Sequence, residues 1–357
     1  MSIDSSHSNP MMKQRTVMSV VGPYQRPSNL RSNWQLVNSI LPYLGLMVAM
    51  YLSLAISYWL TLAIAVVAAG FLVRVFIIFH DCCHRSLFKS RKANSVWGVI
   101  TGIISFTPYQ LWQRKHNIHH ETSGDLDLRG EGDVWMMTVK EYKEASVSTR
   151  LKYRFYRNPL VLLILGPLQM LLIQNRFSPK NATHSDRISV WVTNLGMLAM
   201  FIAAAFTIGI KAYIMLQLPV YWLAGAGGIW LFYVQHQYED VYWEHHEKWD
   251  RIAASLDGSS FYRLPLVLRW FSGNIGFHHV HHLSSQIPNY YLPRCSDDLM
   301  QLRPVRPLSF WRSLKSLRHR LWDEDEKKLV RFRHLKMQAT FAAALPTPKA
   351  RNNHDSV

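Results

Sequence analysis

GFHHVHHLSSQIPNYYL, residues Gly276–Leu292, sets the terms on which the rest of the chain is read. On a helix, His278, His281 and His282 stand at i, i+3 and i+4 and project from one face, while His279 is turned about 100° away from His278. The same spacing recurs at His116, His119 and His120 (HNIHH), and an i, i+4 pair stands at His80 and His84 (HDCCH). Eight imidazoles exceed what one four-coordinate zinc site takes and suffice for two metals with about four ligands each. Imidazole accepts zinc, copper, iron or nickel, so the donor type leaves the metal open. The three clusters lie far apart in the chain, and only a fold can unite them.

The apolar pattern around them predicts an integral membrane protein. Ser32–Val73 contains no charged residue and has room for two spans, near Val37–Tyr58 and Leu62–Phe79. Val96–Phe106 is too short to cross and is expected in the interface. Leu160–Ile173 carries Gly166–Pro167 and is expected to be interfacial or re-entrant. Ile188–Ile210 and Ala212–Gln235 complete a second hairpin. Four spans put all three histidine clusters on one side of the membrane; a fifth would separate the last from the others. His236 ends the fourth span in VQHQYED, at the depth where His80 leaves the second, and is a ninth candidate ligand.

Charge then orients the layout. The 357 residues carry 40 Lys and Arg against 23 Asp and Glu, a net +17. The basic residues flank long apolar segments, which suits anionic lipid heads and argues against nucleic acid as a partner. They crowd the N-terminal arm, Arg85–Lys92 and Arg303–Arg333, and leave the outer turns almost bare. By the positive-inside rule the histidines and both termini are cytosolic.

The fold class expected is therefore all-α, with four transmembrane helices in two hairpins and a cytosolic helical cap carrying a histidine-rich di-metal site. Residues 1–36 are expected to be a flexible arm, 37–300 the membrane domain, 301–338 a basic amphipathic segment, and 339–357 a disordered tail. His245 and His246 fall in a charged stretch and are expected to be exposed. The acids Asp125, Asp127, Glu131 and Asp133 follow HNIHH in a glycine-containing loop, as partners for imidazole N–H groups or as a solvated loop. Three cysteines form neither a disulfide framework nor an iron–sulfur motif. No Ser–His–Asp arrangement or H-E-x-x-H supports a hydrolase.

HDCCH, HNIHH and HHVHH, in this order and with this layout, resemble the boxes of the membrane fatty acid desaturases, and more closely those of bacterial acyl-lipid desaturases. HNIHHETSGDLDLRGEGDVW (His116–Trp135), FYVQHQYED (Phe232–Asp240) and NIGFHHVHHLSSQIPNYYL (Asn274–Leu292) carry the similarity, which covers roughly residues 79–292. Cys83 departs from the pattern, standing where many relatives have glycine. The resemblance implies a non-haem centre of two iron ions with O2 as co-substrate, desaturating acyl chains of membrane lipids in the bacterial cytoplasmic membrane. It implies His80, His84, His116, His119, His120, His278, His281 and His282 as ligands, with His236 as the extra one. Asp81, Asp125 and Glu239 are expected to orient them. The chain has no ferredoxin cysteine spacing and no His-Pro-Gly-Gly stretch of a fused cytochrome b5, so a separate carrier of ferredoxin or flavodoxin type is expected. Hydroxylation or ketolation of a lipid or hydrocarbon shares the scaffold and the first hydrogen abstraction. A membrane metal-binding or transport protein is the reading of another class, and would place ligands inside the spans.

Overall fold

A computed structural model describes residues 10–335. Among the described residues the α-helices run in order from α1 (Pro10–Val21). The spans and their neighbours are α2 (Asn29–Ser53), α3 (Tyr58–Cys83), α4 (Arg91–Ile104) and α5 (Tyr109–Thr122). Short α6 (Val139–Glu144), α7 (Val147–Tyr156) and α8 (Gly166–Gln169) lead to α9 (His184–Thr207) and α10 (Ile210–His236). After them come α11 (Arg251–Leu256), α12 (Leu266–Phe271), α13 (His278–Leu283), α14 (Leu292–Leu302) and α15 (Phe310–Ser316).

α2, α3, α9 and α10 are long and apolar enough to cross a membrane. Most of the apolar surface of α2, α9 and α10 faces outward, as lipid-facing helices require, whereas α3 is half buried. α3 packs against α2, α4, α10 and α12 and so forms the centre of the bundle. The hairpin turns are tight: Ser53 Oγ bonds Thr61 Oγ1 at 2.7 Å across the first, and Gly209, with φ +84°, opens the second. α3 and α10 both begin at these turns and therefore run in parallel, carrying His80 and His236 to the same end.

The two shorter apolar stretches do not cross unbroken. α4 has 14 residues, about 21 Å of helix, well under a bilayer's apolar thickness. Val161–Gln174 contains π-helical turns on either side of α8 and bends by 64° from α7.

The described residues near the two ends, 10–36 and 301–335, carry more structure than the sequence leads one to expect. Residues 10–36, expected as a flexible arm, form α1 and the first turns of α2. Val17 and Val21 are buried among Cys295 and Leu299 of α14, because apolar residues at i, i+3 and i+4 give α1 a face to bury. The basic amphipathic segment after residue 300 is helical over α15 and again over residues 332–335, with strands between them. Leu321–Asp323 then forms a strand between Met137–Thr138 (parallel) and Lys328–Val330 (antiparallel). Leu321 and Trp322 are fully buried there, and that burial outweighs the helical periodicity. A second pair joins Phe261–Arg263 to Pro307–Ser309. The expected tail at 339–357 lies outside the described residues.

Candidate metal centre

The nine histidines converge at the end of α3 and α10. Ring nitrogens of His80, His84, His116, His120 and His281 lie within 4.8 Å of one another, and so do those of His119, His236, His278 and His282. The groups are adjacent: the rings of His120 and His282 stack at 4.1 Å between centroids.

Helix geometry explains the division. At about 100° per residue, position i+4 lies about 40° from i on one side and i+3 about 60° on the other. On α5, His116 and His120 therefore point into the first group and His119 into the second. On α13, His278 and His282 point into the second group and His281 into the first. One H-x-x-H-H motif thus feeds two groups. His279 leaves this face, as the spacing requires, and contacts Ser296 Oγ through Nε2 at 3.2 Å.

Close contacts hold the three elements in register. Tyr109, at the start of α5, donates its O–H to the Cys82 carbonyl at 3.0 Å, and Gln113 donates to the Cys83 carbonyl. Cys83 is buried with its Sγ 4.0 Å from the Tyr109 carbonyl, so the departure from glycine is absorbed by packing. α13 has six residues, all buried, and is held by Phe277 stacked on Phe261 and by the Tyr262 N–H bonded to the Gly276 carbonyl. A Cβ at Gly276 would lie 2.5 Å from the Tyr262 carbonyl oxygen. No side chain fits.

Hydrogen bonds fix which nitrogen faces inward. His80 Nδ1 donates to Asp81 Oδ1 (3.0 Å), His119 Nδ1 to Asp133 Oδ1 (2.6 Å) and His236 Nδ1 to the Gly258 carbonyl (3.2 Å). Carboxylate and carbonyl oxygens only accept, so these three rings present Nε2 lone pairs to the cluster. His119 and His236 Nε2 then face each other at 3.1 Å without a proton between them. The Nε2 atoms of His80, His84 and His282 are buried with no hydrogen-bond partner. Facing and orphaned lone pairs are the arrangement that a bound cation relieves, and the residues fit metal on this ground. Burial, reinforced by neighbouring imidazoles, also holds His84, His116, His120, His278, His281 and His282 well below the usual histidine range and keeps them neutral.

The sequence model of the fatty acid desaturase family matches residues 57–325, from the start of the second span to the C-terminal sheet. The chain belongs to the fatty acid desaturase family. It is 48% identical to "Fatty acid desaturase" of Bacillus subtilis over 324 residues, 91% of this chain and 92% of that one. More distant relatives are "sn-1 oleoyl-lipid 12-desaturase" of Picosynechococcus, 25% identical over 64% of this chain and 66% of its own, and the chloroplast "sn-2 acyl-lipid omega-3 desaturase (ferredoxin)" of Arabidopsis thaliana, 26% identical over 62% and 51%.

Of Asp81, Asp125 and Glu239, only Asp81 bonds a histidine of the two groups. Asp125 spends its carboxylate on the Asp127 and Leu128 amides and on His246 Nδ1 at 2.6 Å. Glu239 is exposed and takes the Leu329 amide with its backbone oxygen; among the described residues its carboxylate bonds no site histidine. Asp133 takes the role instead, at the far end of the acidic loop. Gly132, with φ +83° and room for no Cβ beside His119, brings it there. His245 and His246 are exposed as expected and bond Asp127, Glu324 and Asp125. Arg157 was not singled out by its sequence: fully buried, it donates to Tyr233, Gln237 and the His319 carbonyl, tying α10 beside His236 to the C-terminal segment.

Proposed function

We propose that this enzyme is an oxygen-dependent desaturase of lipid-linked fatty acyl chains. The observation that carries the reading is the pair of adjacent, buried, all-imidazole groups at the ends of two parallel spans in a chain of the desaturase family. His80, His84, His116, His120 and His281 would hold one iron, and His119, His236, His278 and His282 the other. When bound, such a pair supplies reduction of O2 to water, two electrons and two protons entering while two hydrogens leave adjacent methylenes as a cis double bond forms. The histidines contribute donors in fixed tautomers, and Asp81 and Asp133 fix the ring orientation of His80 and His119 through their Nδ1–H bonds. The carbon attacked is selected by where the acyl chain is held, since no methylene is activated chemically.

Lipid-linked substrates are supported by the acyl-lipid desaturases among the relatives. A cytosolic position for the histidines, in a bacterial cytoplasmic membrane, is supported by charge: Arg85, Lys89, Arg91 and Lys92 are exposed immediately after His84. The same patch suits an acidic electron carrier of ferredoxin or flavodoxin type.

The test is expression of the wild type and of His281→Ala/His282→Ala in a bacterium without desaturases, with double bonds located by mass spectrometry of its lipids. A new unsaturated chain made only by the wild type is expected. Hydroxylated or ketolated lipid would replace the reaction while keeping the metal centre. No change, in a host whose electrons and iron support a control desaturase, would overturn the reading.

A further inference from the structure

Between the start of α2, the end of α3 and α12 the protein opens a cleft of about 510 Å³. Arg31, Arg74 and Arg269 line it, and no carboxylate does. The arginine ion pairs of the described residues involve Arg114, Arg129 and Arg303 instead. Arg74 is only 7% exposed; its Nε donates to Ser39 Oγ at 3.1 Å, its Nη1 to the Trp270 carbonyl, and its guanidinium lies 3.9 Å from the Trp270 ring centroid. These neutral partners position the charge without cancelling it. Arg74 is the buried one; Arg31, exposed with its guanidinium 5.0 Å from the Tyr291 ring centroid, and half-buried Arg269 line the same cleft. Among the described residues none of the three has an ion-pair partner, so the lining is an uncompensated cationic one that suits an anion.

The rim says what carries the anion. Trp34 on one side and Leu266, Val267 and Trp270 on the other are exposed, so the cationic floor lies between apolar and aromatic lips at the end of the spans. An occupant must match both, which is the chemistry of a membrane phospholipid: a phosphodiester for bidentate arginines and acyl chains for the lips.

We infer that this cleft seats the phosphodiester of a phospholipid, the head group of a lipid-linked substrate. The inference rests on the lipid-desaturase reading. The seat also connects to the histidines. Asn289 and Gln35 line the cleft and exchange hydrogen bonds at 2.8 and 3.1 Å. Asn289 donates to Asp81 Oδ2 through its backbone N (2.7 Å) and Nδ2 (2.8 Å), and Asp81 holds His80.

Binding is measured without turnover, by native mass spectrometry of purified full-length protein titrated with short-chain phosphatidylglycerol, with the matching diacylglycerol, and with inorganic phosphate. Arg31→Gln/Arg269→Gln and its two single variants are compared with Arg312→Gln/Lys315→Gln, which removes the same charge elsewhere; Arg74 is left in place because it also packs the core. Phosphatidylglycerol is expected to bind the wild type and the remote control alike, and the cleft double variant at least about tenfold more weakly. Diacylglycerol is expected to bind poorly to all. Thermal unfolding recorded alongside separates loss of the site from loss of the fold, and the single variants carry the comparison if the double variant melts early. Equal binding by the cleft variants and the wild type would overturn the inference, as would an equal loss in the remote control. Inorganic phosphate binding as tightly as the lipid would make it a site for soluble anions instead. Because no turnover is read, failure of the desaturation assay leaves this result standing, and the converse holds.

Discussion

Asp133 and Asp81 do for His119 and His80 what the Gly258 carbonyl does for His236: each occupies Nδ1 and leaves Nε2 for metal. Asp133→Ala is expected to weaken metal retention about 10–100-fold against a competing chelator, with the fold intact. Retention equal to the wild type would show that the 2.6 Å contact has no such role. His279→Ala makes the opposite prediction. It removes a buried imidazole that faces Ser296, so it should lower the unfolding temperature and leave metal content unchanged. The histidines were legible because helical spacing and helix ends are written in local sequence. Asp133 was legible only as one of four loop acids that could meet an imidazole N–H, because a loop has no period to single one out; Asp125 and Glu239, named with Asp81 as orienting groups, have other partners in the fold.

At the scale of elements, α13 is too short to stand alone as a helix and depends on its neighbours. Gly276→Ala drives a Cβ to 2.5 Å from the Tyr262 carbonyl, where backbone rather than a flexible side chain must yield. We expect a loss of about 1–3 kcal/mol by denaturant unfolding, together with reduced metal content. Unchanged values of both would mean that the α13 register is not set there. The spans were read to within several residues from uncharged runs alone. The end segments were misjudged because their structure comes from non-local burial: Val17 and Val21 need α14, and Leu321 and Trp322 need a sheet whose strands are far apart in the chain.

For the whole molecule, two hairpins place both histidine-bearing span ends on one side. A single introduced cysteine at Ile56, exposed in the first turn, should react with an impermeant thiol reagent in intact cells; one at Lys89 should react only after permeabilisation. The reverse pattern would invert the proposed orientation. The central claim is that nine histidines from four segments form two metal positions, five donors around one and four around the other. Metal analysis of the purified protein tests it most directly, on the wild type and on variants that empty each group separately. The account predicts two irons per chain in the wild type, about one in His80→Ala/His84→Ala and about one in His236→Ala/His278→Ala, with the spans still folded. A wild type that holds a single metal when fully loaded, or variants that lose both irons from either side alike, would contradict it.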